Sequence, residues 1–114
     1  MNAERLAVAD ELARVLESPL LRALTEPSRL ELLKVLILHG PADVGTLADH
    51  LPQERSVVSR HLHVLLAAGI ARSTRDGRRR VYEIDGQALL RQFEPLLSQS
   101  RALAALCSVP AEET

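Results

Sequence analysis

The chain has 114 residues and a formal net charge of −1, which is enough for one domain with a single core. Apolar residues make up 46% and aromatic residues only 2%, so a core of Leu, Val, Ile and Ala favours helices over a sandwich or barrel. The charge is uneven, because residues 53–80 hold seven arginines and two acidic residues, which leaves −6 on the rest. A basic segment on an acidic body indicates a surface that binds a polyanion.

The sequence contains no apparent membrane span and no apparent signal peptide. There is no run of about 18 apolar residues, and the first ten residues lack the basic start and apolar stretch of a signal peptide. The one cysteine, Cys107, excludes an internal disulfide. We therefore expect a cytoplasmic protein with no membrane partner.

The first half of the chain is predicted to be helical. A first helix is predicted over residues 4–17, and residues 20–24 form a short helical turn. A second helix is predicted from about Glu26 to Leu38, with Thr25 as its cap and Pro27 in its first turn, where the missing N–H costs nothing. Its apolar face holds Leu30, Leu33 and Ile37, with Leu36 beside them.

The second half begins with the parts of a helix-turn-helix. A short helix over about 44–50, a tight turn and a longer helix over about 54–68 have that order and length. Two strands follow, at about 70–75 and 78–84. They flank Asp76-Gly77, a dipeptide typical of two-residue hairpin turns.

A last helix is predicted from Asp85 or Gly86, with an apolar stripe that reaches Leu106. Pro95 lies inside this pattern and is expected to kink or fray the helix. We therefore predict one domain over residues 1–107 and a flexible tail over 108–114. The predicted fold class is mainly α with a small β-hairpin, a homodimeric winged helix-turn-helix in the order α-α-α-α-β-β-α.

The helix over 54–68 is predicted to recognise DNA with one face. At 100° per residue, Val58, Leu62 and Leu65 fall on the core side. The opposite side is small and polar around Arg60, whose guanidinium can read guanine through O6 and N7. The hairpin adds arginines that can reach phosphates. The predicted DNA-binding residues are Arg55, Ser56, Val57, Ser59, Arg60 and His63 of the helix, and Arg75, Arg78, Arg79 and Arg80 of the hairpin.

Each of these residues also has a purely structural interpretation. Taken alone, Arg60 can be a solvated arginine on a helix surface. Ser56 can be a residue that favours the start of a helix, and His63 can be an ordinary surface residue. An arginine-rich hairpin alone fits a solvated loop. The helix face and the hairpin together favour DNA binding, because the polar face lies next in sequence to the basic hairpin.

Two segments carry a resemblance to a known family. Residues 24–36, LTEPSRLELLKVL, and residues 57–84, VVSRHLHVLLAAGIARSTRDGRRRVYEI, resemble the ArsR/SmtB family of bacterial repressors. The resemblance implies a homodimer formed by the first and last helices, here 4–17 and 86–107. It also implies binding to a palindromic double-stranded DNA operator, through the helix-turn-helix at 44–68 and the wing at 70–84. An inducer would release the operator, and the sequence does not identify it.

The metal-sensing residues that the resemblance implies are not found in this sequence. The third-helix stretch, PADVGTLADHL over 41–51, has no cysteine, and no histidine follows His63. Because soft metals prefer thiolates and zinc prefers Cys/His sets, we expect no metal site and no cofactor. Cys107 is the one candidate for redox chemistry, and we favour its interpretation as a small apolar residue at a helix end.

Two other classes of function fit the sequence less well. A winged-helix module that binds proteins and not DNA is the alternative, and the arginine hairpin and the polar helix face argue against it. An enzyme is not expected, because the sequence lacks a Gly-rich phosphate loop, a nucleophile-base set of credible spacing and a carboxylate pair in a pocket.

Overall fold

The computed structural model describes residues 2–107, so the tail predicted over 108–114 lies outside the described residues. The described residues form six helices and one two-stranded antiparallel sheet, in the predicted order. The short turn predicted over 20–24 is a helix of its own. The elements are α1 (Ala3–Leu16), α2 (Pro19–Ala23), α3 (Pro27–His39), α4 (Val44–Ala48), α5 (Arg55–Ala67), β1 (Ala71–Asp76), β2 (Arg79–Ile84) and α6 (Gly86–Leu106).

Short polar side chains begin most of the helices, as expected from their ability to satisfy free N–H groups. Asp85 accepts a hydrogen bond from the Ala88 N–H at 3.0 Å and so caps α6. The prediction that Thr25 caps α3 is wrong. Glu26 is the cap, because its longer side chain reaches the Ser28 N–H at 3.2 Å, while the Thr25 hydroxyl donates to the Arg22 carbonyl.

The core lies between α2, α3, α4, α5 and the hairpin, with Leu20, Leu36, Leu47, Leu65 and Ile70 almost fully buried. The apolar face predicted for α3 is displaced. Leu30 and Ile37 are 44% and 64% exposed, whereas the buried residues are Leu32, Val35 and Leu36. Because α3 is apolar nearly all round, its periodicity does not define one face.

The turn of the hairpin is shifted by one residue from the prediction. Asp76 pairs with Arg79, so the two-residue loop is Gly77-Arg78 and not Asp76-Gly77. Gly77 has a φ of +65°, and within residues 2–107 only glycines have positive φ. A turn with positive φ at its first central position alone requires glycine there, as in type II′ hairpins. Asp76 therefore remains in β1.

Helices α1 and α6 pack on each other and project from the winged-helix body, which gives the molecule extents of 57 × 27 × 20 Å. α6 buries no residue fully and α1 buries only Val15. α6 continues through Pro95 unbroken, so the expected disruption does not divide it. None of the helices within residues 2–107 is long and apolar enough to cross a membrane.

Candidate nucleic-acid interface

The two helices of the helix-turn-helix are held by a cap and by a buried apolar stripe. Asp43 accepts a hydrogen bond from the Thr46 N–H at 2.8 Å and begins α4. α5 buries Val58, Leu62 and Leu65 against the core, each at most 1% exposed, as its periodicity predicted. α5 ends at Ala67, and Gly69, with a φ of +78°, turns the chain towards β1. The hairpin thus follows the predicted recognition helix directly.

The opposite face of α5 is open to solvent. Ser56, Arg60 and His63 are exposed, and Val57 and Ser59 beside them are half-buried. Within residues 2–107, Arg60 forms no salt bridge. The structure therefore places Ser56, Arg60 and His63 on the outer side of α5 and Val57 and Ser59 at its edges, and within residues 2–107 the Arg60 guanidinium has no carboxylate partner. Small side chains around a guanidinium suit close approach to the base edges of a major groove.

Arg55, the first residue of α5, contacts the other helix of the motif. Its guanidinium lies against the backbone of Gly45 in α4, so close that a Cβ atom on Gly45 would lie 2.9 Å from Nη2. Gly45 was not singled out from the sequence. Its place in a five-residue helix, where glycine is disfavoured, is the signal that could have identified it.

The four arginines predicted to act in the wing occupy different environments. Arg75 and Arg78 are exposed near the turn and form no salt bridge within the described residues. Arg80 donates to the Ser73 hydroxyl at 3.1 Å. Arg79 is different, because its Nε donates to Asp43 Oδ2 at 3.0 Å in an ion pair. Three of the four guanidiniums therefore have no carboxylate partner within residues 2–107.

Asp43 joins the helix-turn-helix to the wing and was not singled out from the sequence. Its pKa is lowered from 3.8 to about 2, first by hydrogen bonds from Thr46 and then by the nearby Arg79 guanidinium. The carboxylate is therefore charged at every pH at which DNA is ordinarily bound. An Asp just before a helix is a recognisable cap, but its partner 36 residues away has no local signal.

The residues considered for metal or redox chemistry are scattered. Within residues 2–107, no three His, Cys, Asp or Glu side chains form a group that could hold a metal ion. His39 and His50 stack with ring centroids 3.8 Å apart and planes 7° from parallel. A metal must lie near the plane of each ligating ring, so this stack does not chelate one ion. The exposed Cys107 accepts a hydrogen bond from Arg5 at 3.4 Å.

Comparisons with known proteins agree with this architecture. The family model for "Bacterial regulatory protein, arsR family" matches residues 26–73, which span α3, α4, α5 and the start of β1. An ArsR-like transcriptional regulator from Rhodococcus sp. RHA1 superposes with a TM-score of 0.62 at 30% identity, over 88% of this chain and 92% of that one.

The chain belongs to the ArsR family.

One further solved structure and two curated regulators are also similar to this chain. The homodimeric winged helix-turn-helix DNA-binding domain of Mb0332 from Mycobacterium bovis has a TM-score of 0.57 at 28% identity, over 93% of this chain and 91% of that one. The regulator Rv2034 of Mycobacterium tuberculosis is 43% identical over 72 residues, which is 61% of this chain and 66% of the relative. The regulator CmtR of Mycobacterium bovis is 38% identical over 76 residues, 67% of this chain and 64% of the relative. The chain therefore spans just under two thirds of these curated regulators.

As an ArsR-family member, the chain has the winged helix-turn-helix fold of a family described as bacterial regulatory proteins. The resemblance seen in the sequence is confirmed. The family match covers the whole of α4 and α5, which are the two helices of the predicted helix-turn-helix.

Proposed function

We propose that the protein is a repressor that binds a palindromic operator as a homodimer. The observation that carries the proposal is the solvent-exposed face of α5, where Arg60 has no salt-bridge partner within residues 2–107. Arg60 and its small neighbours would read base edges, and Arg75 and Arg78 at the wing would contact phosphates. A dimer bound in the major groove at a promoter would block RNA polymerase by steric exclusion.

The dimer would form through α1 and α6. Their outer surfaces expose leucines along both helices, and no residue of α6 is buried within one protomer. The related Mb0332 domain is homodimeric, which supports the same assembly here. A symmetric pair must place its two α5 helices about 34–36 Å apart to read successive major grooves. The exposed leucines are Leu6, Leu16, Leu90, Leu97 and Leu103.

The domain would comprise residues 1–107, without a dedicated metal or cofactor site. The alternative remains a winged-helix module that binds another protein in place of DNA. The free guanidiniums on α5 and at the wing favour DNA, since a polyanion is their natural partner.

The deciding experiment is a fluorescence-anisotropy titration with DNA from upstream of the protein's own gene. A scrambled duplex of the same length and composition is the control. We expect the upstream duplex to bind on the order of 1,000-fold more tightly or better, as is usual for specific sites. A transcription assay in vitro on the same DNA should show less transcript as protein is added. Equal binding to both duplexes would contradict sequence-specific recognition, and more transcript would contradict repression.

A further inference from the structure

Asp43 uses its two carboxylate oxygens for different partners. Oδ1 accepts the Thr46 N–H at 2.8 Å and caps α4, while Oδ2 accepts from Arg79 Nε at 3.0 Å at the start of β2. The neighbouring residue strengthens the same connection, because the backbones of Ala42 and Tyr82 exchange hydrogen bonds of 3.0 and 2.8 Å. Residues 42 and 43 therefore attach the helix-turn-helix to the wing.

This attachment distinguishes Arg79 from the preceding arginine of the wing. Arg78 lies in the turn, is exposed, and forms no salt bridge within residues 2–107. Arg79 carries the same charge, but its Nε already donates to a carboxylate. The two arginines form a matched pair, one without a carboxylate partner within residues 2–107 and one paired with Asp43.

We propose that Asp43 is a specificity-determining residue that restrains sequence-independent DNA binding, because its carboxylate takes the place of a phosphate on Arg79 and fixes the wing against α4. The proposal rests on the DNA-binding function of the chain. It adds an intramolecular competitor for the DNA backbone to that function.

The competition follows from the geometry. A phosphate that reached Nε of Arg79 would have to displace Asp43, and a phosphate on the other N–H groups of that guanidinium would lie beside the negative charge of Asp43. Arg79 therefore adds little to the release of counterions, on which sequence-independent binding almost wholly depends. Asp43 also fixes the wing relative to α4, which packs on α5. A wing fixed in this way would meet the DNA backbone where α5 is bound at its operator. It would adjust poorly to the positions of phosphates at other DNA sequences.

The test replaces Asp43 with residues that keep the cap and remove the charge. Asp43→Asn retains a side-chain oxygen for the Thr46 N–H, and Asp43→Ser is a second cap of this kind. Affinities for the upstream and the scrambled duplex are measured by anisotropy across a range of salt concentrations. We expect both variants to bind the scrambled duplex several-fold more tightly and the upstream duplex with a smaller increase in affinity. The slope of log affinity against log salt should steepen by about 0.9 for each additional phosphate that the protein neutralises, one per protomer.

Arg78→Gln and Arg79→Gln provide the matched controls. Arg78→Gln should flatten the salt slope by about 0.9 per protomer, whereas Arg79→Gln should leave it unchanged. In the Asp43→Asn background, Arg79→Gln should return the slope to its parent value. Thermal melting shows whether each variant folds.

Two results would overturn the proposal while leaving DNA binding intact. The first is a slope of log affinity against log salt that is the same in both Asp43 variants as in the parent protein. The second is a slope for Arg79→Gln as flat as the slope for Arg78→Gln. A parent protein that binds neither duplex would overturn the DNA-binding function and this inference together.

Discussion

The guanidinium of Arg55 lies on the backbone of Gly45, where a Cβ atom would approach to 2.9 Å of Nη2 and 3.0 Å of Cζ. The interaction joins the first residue of the DNA-facing helix to the helix that supports it. Its consequence is that an arginine expected to contact DNA occupies the space that a side chain at position 45 would need.

Gly45→Ala should weaken DNA binding without weakening the fold. The added methyl group displaces the flexible end of Arg55, which costs little stability, and alanine is favoured over glycine in a helix by up to about 1 kcal/mol. We expect an unchanged or slightly higher melting temperature and a several-fold loss of operator affinity in anisotropy titrations. Gly86→Ala is the control, because a Cβ atom there meets nothing within 4 Å. An operator affinity equal to that of the control would show that the orientation of Arg55 does not matter.

Arg60→Ala tests base recognition by α5. If the guanidinium contacts a guanine edge, its loss should cost about 1–3 kcal/mol of operator binding and relax specificity at one position in each half-site. Competition titrations with duplexes substituted at single positions measure both effects. Lys34→Ala removes the same charge from the exposed surface of α3 and should have little effect. An Arg60→Ala protein that binds as the parent does would move the DNA to another face.

The dimer interface can be tested by placing a charge on α6. We expect the parent protein to show a dimer mass in light scattering at micromolar concentration. Leu97→Glu should shift that mass towards the monomer, because a carboxylate buried in an apolar interface without a partner is strongly unfavourable. Leu38→Glu introduces the same charge at an exposed leucine of α3 and serves as the control. A monomer mass for the parent protein would contradict the proposed assembly.

Acid should destabilise the protein partly through Asp43. Its pKa is about 2 in the folded protein, below the usual 3.8, because Thr46 and Arg79 bind the ionised form. A depressed carboxyl pKa contributes stability above the unfolded value, and that stability is lost as the pH falls from about 4 to 2. Urea unfolding midpoints measured across this range should fall less steeply for Asp43→Asn than for the parent. Parallel curves for the two proteins would show that Asp43 titrates normally.

Metals should bind weakly. We expect no tight stoichiometric binding of zinc, cadmium or arsenite, since the thiolate and Cys/His sets that these ions prefer are lacking in the sequence. Isothermal titration calorimetry at neutral pH is the measurement. One equivalent bound per chain at sub-micromolar affinity would refute the expectation, and Cys107 and the four histidines would then be the ligands to substitute first.

Periodicity predicts α5 well and α3 poorly for one physical reason. In α5 the residues Val58, Leu62 and Leu65 form one buried stripe opposite a polar face, whereas the apolar residues of α3 lie nearly all round the helix and only packing selects one face. The turn lies one residue from its predicted place because Asp76 and Gly77 both favour turns, and pairing across the strands decides between them. The ion pair of Asp43 and Arg79 joins residues distant in sequence, so no local pattern could predict it.

The sparse burial of α1 and α6 ties the order of these helices to protein concentration. In the proposed dimer, a helix with no fully buried residue in one protomer would gain further packing from association, and association obeys mass action. The melting temperature should therefore rise with protein concentration. In a cell, the number of copies would then set the fraction of competent pairs as well as the occupancy of the DNA. The occupancy of the DNA would thus rise steeply above a threshold amount of the protein, and not in simple proportion to the amount synthesised.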